Sequence, residues 1–159
     1  ILINLIVSNK PNAKGLNYAK KSNIKKYVVN YKNKKITEKK ILNKLFDSKI
    51  DLICLAGFMK ILSSDFIKKF KKPILNIHPS LLPKYKGLNT HKRVIENGEK
   101  YSGSTVHLVN SKLDSGKIIL QKKVKIIKYE SEKSLEKKVL KAEHKLYPKA
   151  IKKFLSSSF

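Results

Sequence analysis

The sequence predicts an α/β protein, with a doubly wound, mostly parallel sheet and late antiparallel strands, in one domain spanning residues 1–159. Two observations carry this. Up to residue 99, apolar runs of strand length alternate with amphipathic segments, and βαβα order implies parallel strands joined by right-handed helical crossovers. From residue 104 the pattern becomes two extended runs joined by a Leu113-Asp114-Ser115-Gly116 turn, which adds strands at one end of the sheet.

The apolar run 1–7 predicts a buried strand, and Asn9-Lys10-Pro11 turns the chain into a helix over 13–21. A second strand follows at 26–31. Residues 36–48 space Ile41, Leu42, Leu45 and Phe46 on one helical face, with Thr37 as the cap. The run 50–56 is apolar almost throughout, as a parallel strand covered on both faces should be. A helix over 64–70 ends before Pro73, and 74–78 forms the next strand. Residues 90–99 give another helix, closed by Asn97-Gly98. Residues 104–109 alternate, 117–127 run extended, and 133–155 form a long amphipathic helix interrupted or bent at Pro148.

Composition narrows the class. A chain of 159 residues suits one core, burying about two-thirds of the surface exposed when unfolded. No apolar run approaches the roughly 20 residues of a membrane helix, so no membrane partner is expected. The single cysteine, Cys54, can make neither an internal disulfide nor the cysteine pair of a zinc site, and points to a reducing, cytoplasmic setting. Thirty-seven Lys and Arg against eleven Asp and Glu give a formal charge of +26, which favours any polyanion. The lysines, however, occupy every segment and do not alternate with aromatic residues as a base-stacking platform would. They read as a solvated surface, with nucleic acid the disfavoured partner. The four histidines, His78, His91, His107 and His144, lack the paired spacing of a helical zinc site, so no metal is expected.

Doubly wound sheets bind ligands beyond the carboxyl ends of their strands. Asn76 and His78 stand there, and their spacing of two puts both on one strand face, with Ile77 on the other. Pro79 holds His78 extended and fixes the direction in which its imidazole leaves the strand. An amide donor and a proton-carrying imidazole suit acyl transfer, with Asp114 as the carboxylate that raises the histidine pKa. A hydrogen-bonded loop anchor and an ordinary Asp-Ser-Gly turn answer the same pattern. His107, between Val106 and Leu108, fits a core or supporting histidine as well as a direct participant.

Longer motifs go further. Leu55-Ala56-Gly57-Phe58-Met59-Lys60-Ile61-Leu62, then Asn76-Ile77-His78-Pro79-Ser80-Leu81-Leu82-Pro83-Lys84-Tyr85, Gly87-Leu88, Thr90-His91, Val106-His107, Leu113-Asp114-Ser115-Gly116, Ala142-Glu143-His144 and Leu146-Tyr147-Pro148 occur in order. Together they closely resemble the phosphoribosylglycinamide formyltransferase family, a Rossmann-like group of folate-dependent formyltransferases. The resemblance implies transfer of the formyl group of 10-formyltetrahydrofolate to the amine of glycinamide ribonucleotide in purine biosynthesis, by a monomer or homodimer. It implies that His78 transfers protons, Asn76 binds the formyl oxygen, Asp114 tunes the histidine and His107 supports them. Folate contacts fall on Lys34, Met59, Lys60, Ile61, Leu62, Asn76, Asn110, Ser111, Lys112, Leu113 and Asp114. Nucleotide contacts fall on Leu140, Lys141, Ala142 and Glu143, with Glu143 the ribose contact.

Some positions depart from the pattern. Lys60 stands where relatives often carry Arg and Asn89 where His is common, and Lys34 matches a basic folate-tail contact only loosely. Ile1 matches the start of the family's second strand, so the first strand and its Gly/Ser/Asn-rich phosphate loop are expected upstream of it. Methionyl-tRNA formyltransferase shares the Asn, His and Asp set, but Gly87-Leu88-Asn89-Thr90-His91 resembles the small-substrate enzyme, and no additional carboxyl-terminal domain fits. Formyltetrahydrofolate hydrolase would need an amino-terminal regulatory domain.

Overall fold

The computed structural model describes residues 1–157, which fold as two compact units. The first comprises residues 1–51 and 62–71. In it β1 (Leu5–Ser8) crosses through α1 (Lys14–Lys21) to β2 (Lys25–Val28), and the two strands pair in parallel with Leu5 opposite Lys25. Then come α2 (Lys34–Asp47) and α3 (Ser64–Phe70).

Here local chemistry sets boundaries that apolar periodicity misplaces. Strand β1 is shorter than expected and only half-buried, while Ile1, Leu2 and Ile3 are exposed. Helix α2 is capped by Asn33, whose side chain accepts from the Ile36 N–H at 3.1 Å, and not by Thr37. Thr37 lies a turn inside, buried, with its hydroxyl donating to the Asn30 carbonyl at 2.7 Å. Ile41, Leu42 and Leu45 are buried as expected, whereas Phe46 points to solvent. Buried Glu38 accepts hydrogen bonds from the N–H and hydroxyl of Ser63, and that hydroxyl in turn accepts from the Phe66 N–H at 3.0 Å. A carboxylate thus fixes the start of α3, where Phe66 and Phe70 stack with centroids 6.5 Å apart.

The second unit holds a four-stranded sheet in the order β3 (Ile53–Leu55), β4 (Ile74–His78), β5 (Tyr101–Leu108), β6 (Ile118–Lys125). The first pair is parallel and the other two antiparallel, so the late antiparallel strands stand as the sequence predicts. Strand β3 is shorter than the apolar run, and its Cys54 is exposed. Within this sheet it ladders with β4, and the exposure of Cys54 departs from the expected strand covered on both faces. Strand β5 begins three residues early, because Tyr101 and Ser102 pair with Lys125 and Val124.

Helix α4 (Thr90–Glu96) stops before Gly98, which adopts φ +61° and ends it earlier than expected. Helix α5 (Glu132–Ser156) runs through Pro148 without interruption, although the proline has no N–H to offer the carbonyl of the preceding turn. One sheet face presents Leu75 and Val106 to Leu146 and Ala150 of α5, flanked by Ile77 and Leu108. Further along α5, Leu135 and Val139 pack on Val94 of α4. No helix among the described residues is long and apolar enough to cross a membrane.

Candidate active site

With Leu75 and Ile77 committed to α5, the pleat turns Asn76 and His78 to the opposite face of β4. Antiparallel pairing then sets Asn76 against His107 and His78 against Thr105, which gathers four polar side chains on one face. Strand β5 is bulged relative to β6 between Val106 and His107, a device that re-aims side chains beside functional sites.

Asp114 reaches this face from the β5–β6 turn with a left-handed backbone, φ +44°, which Asp tolerates better than most residues. Gly116 permits that turn. A Cβ there would sit 1.7 Å from the Leu108 carbonyl oxygen. The Asp114 Oδ2 atom lies 3.4 Å from His78 Nδ1 and accepts the Gly87 N–H at 2.9 Å, while Oδ1 lies 3.5 Å from His107 Nε2. Asn76 Nδ2 is 3.3 Å from the same His107 nitrogen.

The acceptors around each ring fix its protons. His107 Nδ1 is 2.8 Å from the Leu108 carbonyl, so this nitrogen carries hydrogen, while Nε2 stands between the Asn76 amide nitrogen at 3.3 Å and Asp114 Oδ1 at 3.5 Å. His78 has acceptors on both sides, the Tyr85 carbonyl 2.9 Å from Nε2 and Asp114 near Nδ1, and satisfies both only as imidazolium. Burial opposes that charge. It is the largest influence on His78 and leaves its pKa below the ordinary histidine value, although the Tyr85 carbonyl and Asp114 both pull upward. The expected upward pull of Asp114 is present but outweighed. For Asp114 burial pushes the carboxyl pKa up, but His107, the Gly87 N–H and His78 together hold it below the ordinary range.

Residues that sequence reasoning did not single out hold the loop 79–87 in place. The Thr105 hydroxyl donates to the Ser80 carbonyl at 2.7 Å and accepts from the Leu82 N–H and the Gln121 amide. Gln121 also donates to the Leu82 carbonyl at 2.8 Å, and the Ser80 hydroxyl to the Lys84 carbonyl. Thr105 was within reach of the period-two rule, two positions before His107; Gln121 and Tyr85 required the register itself.

The profile of the formyl transferase family matches residues 2–151, nearly the whole chain. The chain belongs to the formyl transferase family. Within it, phosphoribosylglycinamide formyltransferase from Haemophilus influenzae is 45% identical over 152 residues, covering 94% of this chain and 72% of the relative. The enzyme of that name from Escherichia coli is 37% identical over 96% of the chain and 73% of its own length. The trifunctional purine biosynthetic protein adenosine-3 of Drosophila melanogaster is 42% identical, and there the chain spans only 11% of the relative. Among solved structures, phosphoribosylglycinamide formyltransferase from Anaplasma phagocytophilum superposes with a TM-score of 0.89 at 40% identity, over 95% of this chain and 73% of that one. The Bacillus halodurans enzyme gives 0.91 at 32%, over 98% and 81%.

The remaining expected positions of this formyl transferase fall in several places. Asn110, Ser111, Lys112 and Leu113 form the exposed approach to Asp114, with Asn110 Oδ1 accepting the Lys112 N–H at 2.9 Å. Met59, Lys60 and Ile61 follow β3 and are exposed. Lys34 opens α2 and Leu62 precedes α3, both in the first unit. Leu140, Lys141, Ala142 and Glu143 lie midway along α5, and no hydrogen bond or ion pair joins them to Asn76, His78 or Asp114 among the described residues. Glu143 has its pKa raised to about 7 by burial. No cluster of three or more His, Cys, Asp or Glu among the described residues could hold a metal.

Proposed function

We propose that this formyl transferase moves the formyl group of 10-formyltetrahydrofolate to the amine of glycinamide ribonucleotide, in purine biosynthesis. The observation that carries the reading is the shared acceptor arrangement at His78: a buried imidazole between a carboxylate at 3.4 Å and a carbonyl at 2.9 Å, with an amide donor two residues away on the same strand face. The names of the relatives, at up to 45% identity, support the substrates.

As the amine attacks the formyl carbon, negative charge grows on the formyl oxygen. Asn76 donates to that oxygen, and the His78 imidazolium faces it as a second donor. Asp114 keeps its hold on Nδ1, so the proton His78 can offer is the one on Nε2, released from the Tyr85 carbonyl. The new carbon–nitrogen bond forms as the bond from carbon to the folate nitrogen breaks, and the proton lost by the amine returns to that nitrogen. His78 needs no net change of charge over the cycle. His107, held through Nδ1 by the Leu108 carbonyl, orients Asn76 and Asp114.

The folate side suits a flat, partly apolar co-substrate. Met59, Ile61 and Leu113 are 71%, 59% and 49% exposed, and Lys60 and Lys112 supply positive charge for its carboxylates. Glu143, short of solvent and held near neutrality, suits a ribose hydroxyl, with Leu140, Lys141 and Ala142 beside it. Lys34 and Leu62 rest on the family resemblance alone.

The test supplies the full-length protein, wild type and variants, with formyl-folate and glycinamide ribonucleotide and follows folate release. Asn76→Ala and His78→Ala should each lower kcat by roughly 10²- to 10⁴-fold. Absence of transfer by the wild-type chain, or full rates in both variants, sinks the proposal.

A further inference from the structure

Three residues of the segment that carries the Tyr85 carbonyl have left-handed backbones: Tyr85 at φ +56°, Gly87 at +76° and Asn89 at +55°. Glycine adopts that region freely, but the conformations of Tyr85 and Asn89 must be imposed by their surroundings. The result serves the site. Tyr85 aims its carbonyl at His78 Nε2, 2.9 Å away, and Gly87 aims its N–H at Asp114 Oδ2, 2.9 Å away. The Lys86 ammonium donates to the Ser115 hydroxyl at 2.5 Å, which ties the same segment to the Asp114 turn.

A second hold comes from α4. Arg93 Nη1 donates to the Lys86 carbonyl at 2.8 Å and to the Leu88 carbonyl at 3.2 Å, the residues on either side of Gly87. Its guanidinium carbon stands 5.3 Å from the centroid of the Tyr85 ring. The hydroxyl of that ring donates to Glu99 at 2.9 Å and accepts from the Asn97 amide at 3.1 Å, so the C-terminal end of α4 grips the tyrosine at both face and tip. Among the described residues no carboxylate pairs with Arg93. One nitrogen bound to carbonyls two residues apart fixes the bend of the chain between them, and the planar guanidinium loses little freedom in doing so.

We propose that Arg93 is a positioning residue for formyl transfer: it straps the segment 85–88 to α4, and so holds the Tyr85 carbonyl on His78 and the Gly87 N–H on Asp114. Its effect on turnover rests on the formyl-transfer reading; its effect on His78 does not.

A strap and a mere charge would act on His78 with opposite signs. The charged and titratable groups facing this histidine are Asp114 of the β5–β6 turn, His107 of β5, and His91 and Arg93 of α4. Burial is the largest influence on its pKa; of the others, the Tyr85 carbonyl raises it, and the Arg93 charge lowers it by less. Removing a charge alone therefore lifts the His78 midpoint, whereas releasing the Tyr85 carbonyl lowers it.

Arg93→Met and Arg93→Gln in the full-length protein are compared with wild type by NMR titration of the imidazoles and by formyl-transfer kinetics. Methionine keeps the apolar stem and no donor, while glutamine keeps one amide for the carbonyls. The His78 midpoint should fall in Arg93→Met and, by less, in Arg93→Gln, with the neutral ring moving towards the tautomer that carries hydrogen on Nδ1. In Arg93→Met kcat should fall about 10- to 100-fold with KM changed less than about twofold, as misplacement of a catalytic group requires. An arginine that only stabilises the fold would shift the urea midpoint and leave the imidazole unmoved. The NMR titration needs no substrate, so it decides alone if the wild type transfers no formyl group. A His78 midpoint that rises or stays fixed in both variants overturns the proposal, and so does an unchanged kcat in Arg93→Met beside an active wild type.

Discussion

Replacing Glu143 by Gln gives a prediction whose size follows from burial. Folding raises this carboxyl from its ordinary 4.5 to about 7, and the cause is loss of water around the charge. A group whose pKa rises on folding binds its proton more tightly in the folded state. Stability is therefore greatest below pH 4.5, falls as pH rises towards 7 and stays low above it. At 1.36 kcal/mol per pH unit, the wild type should lose about 2–3 kcal/mol between pH 5 and pH 8 relative to Glu143→Gln, which carries no titrating group there. Paired urea unfolding at pH 5, 6, 7 and 8 measures the difference while other titrating groups cancel. For a domain of this size the two melting temperatures should separate by a further 5–10 °C or so between pH 5 and pH 8. A stability difference constant within about 0.5 kcal/mol across that range refutes the reasoning, and would mean that the carboxyl keeps its water. If the same group meets the ribose, Glu143→Ala should raise KM for the nucleotide with kcat little changed.

Asp114→Asn keeps an oxygen for the Gly87 N–H but removes the charge facing His78, so the pH midpoint of the rate should fall by about 1–3 units; an unchanged profile removes Asp114 from its tuning role. Gly116→Ala drives a Cβ into the Leu108 carbonyl, 1.7 Å away with backbone on both sides. It should cost about 3 kcal/mol or more, seen as a fall in Tm of roughly 6–12 °C, with the Asp114 effect on the pH profile weakened as well.

What the sequence made legible was the part fixed by short-range rules. Alternation alone places Asn76 and His78 together, because a period of two admits no other face, and the Leu-Asp-Ser-Gly turn marks where Asp114 leaves the strands. Helix α3 was bounded correctly at 64–70, its end marked by Pro73, which cannot continue a helix, and the structure adds Ser63 as the polar cap at its start. Apolar pattern misled at particular positions. Phe46 fits the apolar stripe of α2 yet faces solvent, and the apolar run at 50–56 contains only three strand residues, since an apolar composition does not state how many neighbours a strand has. The Tyr85 carbonyl at His78 was invisible for another reason. A backbone acceptor carries no residue signature, and its direction depends on a left-handed residue that only the folded loop defines.

That carbonyl changes the chemical account of the site. A histidine beside a carboxylate alone satisfies itself as the neutral tautomer with hydrogen on Nδ1, leaving Nε2 free to accept a proton. Adding the Tyr85 carbonyl at 2.9 Å makes Nε2 a required donor, so the neutral ring always leaves one acceptor unmet. Burial, pulling the pKa down, works against the charged form that would satisfy both. The resting site is thus poised between a buried charge and an unmet hydrogen bond, and either cost can be relieved by an incoming oxygen that is becoming negative. Such an oxygen takes over the Nε2 proton and compensates the imidazolium at once. On the proposed reading, the arrangement favours the transition state over the empty site.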